Sequence, residues 1–140
     1  MNLSGLTAGV LAFGLFSAPA PALADGYPAV PLFSGSKTVM GEDIAYPATG
    51  EANVNAMIVT IAPGSKTELH QHGVPVFIHV LEGEVTVDYG DRGRKVFSQG
   101  QSFLEEMKVT HAGMNLGSVP VRILAVYMGA AGSEDVIPMK

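Results

Sequence analysis

The 140-residue chain contains no cysteine. This absence excludes disulfide bonds, thiolate metal ligands and a cysteine nucleophile together. Tryptophan is also absent, and basic residues are few: 8 lysines and arginines stand against 13 acidic residues, for a formal net charge of −5. That balance argues against nucleic-acid binding, which requires a basic face for the phosphates. The sequence also lacks a P-loop, a dinucleotide-binding fingerprint and a serine-nucleophile motif.

Long apolar segments are confined to the first 24 residues, which carry no charged side chain and end in Ala-Leu-Ala. That ending is the small-x-small pattern of a signal peptidase site. We therefore predict a signal peptide over residues 1–24 and a periplasmic or secreted mature protein that begins at Asp25. Serine, glycine and proline interrupt the apolar run, so an uncleaved membrane anchor is the less favoured alternative. No later segment is predicted to span a membrane.

The remaining chain is short enough for one domain with one core. Residues 25–50 are rich in proline and glycine, and they predict an extended N-terminal arm with at most one edge strand, near Lys37 to Met40. Residues 51–130 are predicted to form the folded domain. Residues 131–140 are predicted to be a C-terminal tail that leaves the sheet.

Within the folded domain, short runs rich in valine, isoleucine, phenylalanine and tyrosine alternate with glycine- and proline-containing turns. The turns are too closely spaced to leave room for a substantial helix. This spacing is typical of a small all-β sandwich or barrel. The predicted strands cover residues 54–61, 76–81, 85–89, 95–97, 102–104 and 121–128.

Two histidines, His70 and His72, are separated by one residue. On a β-strand, side chains two positions apart point to the same face, so such a pair offers two imidazoles to one ion. A further ligand has to come from elsewhere, and the other histidines are His79 and His111. Counting by twos from Val76 places His79 on the face opposite the interior.

Two segments resemble the conserved motifs of the cupin superfamily, G-x5-H-x-H-x3,4-E-x6-G and G-x5-P-x-G-x2-H-x3-N. The matching positions are Gly64, His70, His72 and Gly83 in the first motif and Gly100, His111 and Asn115 in the second. The chain thus resembles a small single-domain bacterial cupin. The resemblance implies an all-β double-stranded β-helix, a jelly-roll barrel that holds a metal in its mouth.

The glutamate of the first motif falls on Val76, which cannot ligate a metal. The ligand set implied by the resemblance is therefore reduced to His70, His72 and His111. Imidazole suits Fe, Mn, Ni, Cu and Zn, and three ligands leave positions open for water or substrate. We expect one divalent transition metal ion of this group as the cofactor, with a degenerate, metal-free site as the alternative.

A replacement carboxylate is available in Glu105, six residues before His111. It is the candidate catalytic residue, as a fourth ligand or as a general base. The proline and glycine of the second motif are replaced by Glu106 and Lys108. Apolar side chains near the motifs are expected to line a substrate pocket; they are Val76, Phe103, Met107 and Met114.

We expect a metal-dependent enzyme that acts on a small molecule, by dioxygenase-type or by isomerase- or lyase-type chemistry. The alternative is a non-catalytic cupin that binds or senses a metal or small ligand, because the fold does not fix the activity. A carboxylate of Glu105 or Glu106 that points into the barrel favours the enzyme, whereas two solvent-facing carboxylates favour the binding protein. The resemblance further implies a homodimer, formed through exposed sheet faces or exchanged N-terminal strands.

Overall fold

The computed structural model describes residues 23–24 and 27–140 of the chain. The signal peptide predicted over residues 1–24 lies outside the described residues, apart from residues 23–24. Chain contacts separate a first unit, which ends at Pro31, from a second unit, which begins at Leu32. In the first unit, β1 (Leu23–Ala24) pairs antiparallel with β2 (Tyr27–Pro28).

The second unit is built from strands and contains the residues of every predicted motif. A single turn of 3₁₀ helix, Gly90–Arg92, is the sole helix in the described part of the chain, and it has neither the length nor the apolar character that membrane crossing demands. The strands are β3 (Ala52–Ile61), β4 (His70–Gln71), β5 (Val76–Glu82), β6 (Glu84–Asp88), β7 (Arg94–Ser98), β8 (Ser102–Leu104), β9 (Ala112–Met114), β10 (Val121–Ala130) and β11 (Ile137–Pro138).

These strands form antiparallel sheets. One sheet has the order β3-β10-β5-β8, a second has the order β7-β6-β9, and β11 pairs with β4. Strand β10 is the centre of the first sheet, because it pairs with all ten residues of β3 on one side and with β5 on the other. The predicted all-β jelly-roll barrel is confirmed.

The side chains of β5 show why this segment forms a strand at the core. Val76, Ile78 and Val80 are buried, while the residues between them are half-buried on the other face. His79 lies on that outer face, as predicted, and its Nδ1 is 2.8 Å from the hydroxyl of Ser102. The inner faces of the two larger sheets therefore enclose one aliphatic core.

Gly83 alone separates β5 from β6 and adopts a φ of 75°. A side chain there would be strained, and its Cβ would lie 2.8 Å from the carbonyl oxygen of Pro120. The glycine that closes the first motif thus permits the chain to pass directly from the first sheet to the second.

No strand forms near Lys37 to Met40, where at most one edge strand was expected. The chain reverses at Gly41, which has a φ of 90°, and Lys37 and Asp43 make one isolated antiparallel bridge. The arm is nevertheless held against the barrel, because the Val39 amide donates a 3.0 Å hydrogen bond to a carbonyl of β8.

Residues 131–140 leave the sheet of β10 and make a separate short pairing of their own. After β10 the chain turns at Gly132, which has a φ of 84°, and returns so that β11 pairs with β4. The amide of Met139 continues this pairing with a 2.9 Å hydrogen bond to the carbonyl of Leu69. The run of apolar residues in the tail is too short to show the alternation that predicts a strand. The pairing of β11 with β4 is made by backbone hydrogen bonds.

Candidate metal centre

Three histidines converge at the mouth of the barrel. His70 lies in β4, His72 follows it on the same side, and His111 directly precedes β9. His70 and His111 exchange two backbone hydrogen bonds of 3.0 Å, which fixes their segments side by side. One ring nitrogen from each of the three lies within 4.8 Å of the others. The structure therefore brings together the histidines that the motif spacing selects.

Backbone carbonyls set the orientation and the tautomer of each imidazole. A carbonyl can only accept a hydrogen bond, so each Nδ1 carries the proton and each Nε2 keeps its lone pair. Such outer contacts are the usual means of orienting a metal-binding histidine. The acceptors, each 2.8 Å from Nδ1, are the carbonyls of Glu68 for His70, Asp135 for His72 and Val109 for His111.

Burial keeps the three histidines neutral. It lowers the pKa of His72 to about 3 and lowers the pKa of His70 and of His111, against the opposing effect of their carbonyl partners. Neutral imidazole is the metal-binding form. The Nε2 of His111 is buried without a hydrogen-bond partner, a state that ordinarily costs about 1–3 kcal/mol. The donor set therefore fits a divalent transition metal, which would satisfy this atom.

Glu105 lies beside the histidines, in the segment that follows β8. Its Oε2 is 3.9 Å from the Nε2 of His111. Its Oε1 accepts hydrogen bonds from the Tyr89 hydroxyl at 2.7 Å and from the Glu106 amide at 2.8 Å. Burial raises the pKa of Glu105 to about 7, although these hydrogen bonds lower it. One carboxylate oxygen is thus held in place while the other faces the histidines.

Glu106 is fully buried but occupies a different environment. Its Oε1 accepts a hydrogen bond from the Met40 amide, and its Oε2 has no partner. Glu106 is not among the residues that line the cavity next to the histidines. The carboxylate that replaces the motif proline therefore connects the barrel to the arm.

A cavity of about 410 Å³ extends from the three histidines between the two larger sheets. Its walls are mainly aliphatic. The lining residues are Met57, Val59, Ile61, Thr67, Glu68, Leu69, His70, His72, Ile78, Val85, Val87, Phe103, Glu105, His111, Gly113, Ile123, Ala125, Tyr127, Val136 and Pro138.

Of the four predicted pocket residues, Phe103 lines this cavity, whereas Val76, Met107 and Met114 do not. Val76 is completely buried in the core. Met107 contributes its carbonyl, which accepts a 3.0 Å hydrogen bond from the His72 amide. In β9 it is position 113 that faces the cavity, so strand alternation turns Met114 to the other side.

The sequence reasoning did not identify most of the aliphatic wall, or the two tyrosines near the site. Tyr89 and Tyr127 have ring centroids 5.7 Å from those of His111 and His72, respectively. The signal for Tyr89 was present, because it continues by twos the alternation of Val85 and Val87. The Asp135 carbonyl left no comparable signal, since any residue supplies the same atom.

Comparison with known proteins agrees with this architecture. The model of the cupin domain family matches residues 57–127, just over half of the chain. No curated protein matches the sequence.

Three solved structures resemble the chain at low identity, which supports the fold alone. The oxalate decarboxylase of Lactobacillus farciminis has a TM-score of 0.53 and 23% identity, over 61% of this chain and 26% of that one. The polyketide cyclase RemF of Streptomyces resistomycificus has a TM-score of 0.51 and 19% identity, over 66% and 63%. A cupin-like protein of Thermotoga maritima has a TM-score of 0.50 and 16% identity, over 54% and 56%. The match thus spans about a quarter of the decarboxylase chain.

Proposed function

The chain belongs to the cupin domain family, and we propose that it is a metal-dependent enzyme that acts on a small molecule. One observation carries the proposal: three neutral imidazoles place one ring nitrogen each within 4.8 Å of the others, in a cavity that also holds a carboxylate. The ligands are His70, His72 and His111.

The cofactor in this proposal is one divalent ion of Fe, Mn, Ni, Cu or Zn, because imidazole suits all five. Such an ion supplies Lewis acidity, or redox chemistry of the dioxygenase type, when it is bound. The protein contributes the orientation of the three rings through their carbonyl partners and excludes bulk water through the aliphatic walls of the cavity.

Glu105 is the proposed general acid–base. Its Oε2 faces the histidines and holds or accepts a proton there, while the Tyr89 hydroxyl fixes Oε1. A pKa of about 7 suits proton transfer in either direction near neutral pH. A buried, oriented carboxylate beside the ligands supports the enzyme over the non-catalytic binding protein. Both isomerase or lyase chemistry and dioxygenase chemistry use such a group.

The proposal is tested by the metal content of the chain produced without a histidine tag. We expect about one transition metal ion per chain in the wild type and its loss in His72→Ala, because each ligand is needed to complete the set. The matched control is His79→Ala, which removes the histidine on the outer face. It should retain the ion.

Absence of metal from the wild type, even after reconstitution with each of the five ions, would refute the metalloenzyme. Equal loss of metal in His79→Ala would show that the loss in His72→Ala comes from misfolding rather than from removal of a ligand. Stoichiometric metal without turnover of any substrate would instead support the binding protein.

A further inference from the structure

We infer that the cavity takes a small molecule whose polar group lies at one end, beside the three histidines, and whose remaining body is uncharged and apolar. The inference rests on the proposed function and specifies its substrate class. It is carried by the distribution of charge and of apolar surface in the cavity, independently of which metal is bound.

The cavity offers no countercharge for a second acidic group on a ligand. None of the described residues that line it is a lysine or an arginine. The basic side chains of Lys66, Lys108 and Arg122 are exposed outside it. An acidic group held between the aliphatic walls would be desolvated without a partner, which is costly. The cavity therefore selects against molecules charged at both ends.

The polar side chains of the cavity are concentrated near the histidines. Glu105 lies 3.9 Å from His111, and the ring of Tyr127 is 5.7 Å from that of His72. Of the other polar lining residues, Thr67 already accepts a hydrogen bond from the Gly113 amide and Glu68 is exposed. A ligand thus meets its polar partners at one end.

Branched aliphatic side chains form the rest of the wall. They come from both larger sheets, and they neither donate nor accept hydrogen bonds. A volume of about 410 Å³ with such a lining is typical of sites for small apolar ligands with few polar groups. The principal members are Ile61, Ile78, Val85, Val87 and Ile123.

The opening of the cavity is also apolar. Leu69, Val136 and Met57 line the cavity although they are 51%, 42% and 45% exposed. Exposed apolar groups at the rim of a pocket are typical of ligand-binding surfaces. The apolar part of a ligand that is longer than the cavity would therefore contact apolar side chains at the opening.

The test uses hydroxamates, which share one metal-binding head and differ in the body. Dissociation constants for the metal-loaded full chain are measured by calorimetry with acetohydroxamate, hexanohydroxamate and the monohydroxamate of succinic acid. We expect affinity to rise roughly fourfold per added methylene that becomes buried, so hexanohydroxamate should bind at least about tenfold tighter than acetohydroxamate. The succinic probe, which carries a charge within the cavity, should bind more weakly than acetohydroxamate.

A matched pair of variants locates the effect in the cavity. Val59 and Ile58 are neighbours on β3, but Val59 lines the cavity while Ile58 is exposed on the opposite face. Val59→Phe fills space, so it should abolish the advantage of hexanohydroxamate and change acetohydroxamate binding by less than about twofold. Ile58→Phe should change neither value.

The outcomes separate this inference from the proposed function. If the wild type holds its metal but binds the three probes equally, or prefers the succinic probe, the inference is wrong and the proposed function stands. If no metal binds, the proposed function fails. The inference is then tested on the metal-free chain by saturation-transfer NMR, where 1-hexanol should bind, 4-hydroxybutyrate should not, and Val59→Phe should remove the hexanol signal. Failure of the metal-free wild-type chain to bind 1-hexanol would overturn the inference.

Discussion

Burial and hydrogen bonding act in opposite directions on Glu105. Burial disfavours the charged carboxylate, while the hydrogen bonds from Tyr89 and from the Glu106 amide favour it. Burial is the larger effect, so the pKa rises to about 7 from the ordinary value of 4.5. The folded protein therefore ionises Glu105 only at about pH 7, whereas the unfolded chain does so near 4.5, and ionisation of the buried group lowers stability as the pH rises.

Replacing Glu105 by glutamine should stabilise the metal-free protein at alkaline pH and have little effect at acid pH. Above pH 7 the wild type buries a charge that the variant lacks. As pH falls from about 7 to 4.5, the folded wild type takes up a proton before the unfolded chain does, so the difference disappears. We expect a melting temperature higher by on the order of 10 °C at pH 8 and equal to the wild type near pH 4.5, measured by calorimetry with chelator.

The site histidines titrate in the opposite sense. Their pKa values are lowered by folding, so below about pH 6.5 the unfolded state binds more protons and both proteins lose stability together. The comparison with the variant cancels this effect. Glu51→Gln, a substitution at an exposed position, is the control and should show no pH-dependent difference. A constant difference for Glu105→Gln across the pH range would contradict the assigned role of burial.

At the scale of elements, the short strand β11 lies against the candidate metal centre. It pairs with β4, which carries His70, and the carbonyl of Asp135, two residues before β11, accepts the Nδ1 proton of His72. The tail also lies so close to Gly73 that a Cβ there would overlap the Glu134 carbonyl oxygen. The segment from Asp135 to Pro138 thus contacts two of the three candidate ligands.

Deleting residues 134–140 should weaken metal binding while leaving the barrel folded. The deletion removes the partner of His72 and the pairing of β4, and loss of such outer contacts typically costs about 10–100-fold in metal affinity. Strand β10 ends at Ala130, so the large sheets remain intact. The affinity is measured by competition with a chromophoric chelator, and the circular dichroism spectrum reports the fold.

The control for this deletion removes only Lys140, which lies beyond the last pairing of the tail. It should bind metal as the wild type does. An unchanged affinity in the longer deletion would show that the histidines are oriented without β11.

At the scale of the whole molecule, β3 is an edge strand of ten residues with an exposed apolar face. Val54 is 63% and Ile58 is 53% exposed, and both lie on the side of β3 away from the cavity. A long apolar edge strand is prone to pair with another chain unless it is covered. We propose that a second copy of the chain covers it, which agrees with the homodimer implied by the cupin resemblance.

Ile58→Lys should convert this dimer into a monomer, because a lysine in an apolar contact is desolvated without a partner. Light scattering after size-exclusion chromatography is expected to give twice the mass of one chain for the wild type and the mass of one chain for the variant. Val96→Lys, at an exposed apolar position on β7, is the matched control and should remain dimeric. A wild type that is monomeric at all accessible concentrations would exclude the dimer.

Local patterns in the sequence account for much of the barrel. The predicted strand segments 54–61 and 121–128 correspond to β3 and β10, because alternation of apolar residues bounded by turns is a local property. The opposite orientation of His79 followed from the same alternation. Three short strands, β4, β9 and β11, were not predicted, although the equally short β8 was.

The motif spacing was sufficient to select His70, His72 and His111, and residue types were sufficient to limit the ion to metals that imidazole binds. Spacing alone could not say that Glu105 faces these histidines while Glu106 faces the arm, because the answer depends on contacts from Tyr89 and from the residues around Met40, which are distant in sequence. The same holds for the Asp135 carbonyl and for the apolar interior of the cavity. The type of a side chain and the apolar alternation around it are local properties of the sequence. Its pKa, its hydrogen-bond partners and the cavity it faces depend on residues that only folding brings together.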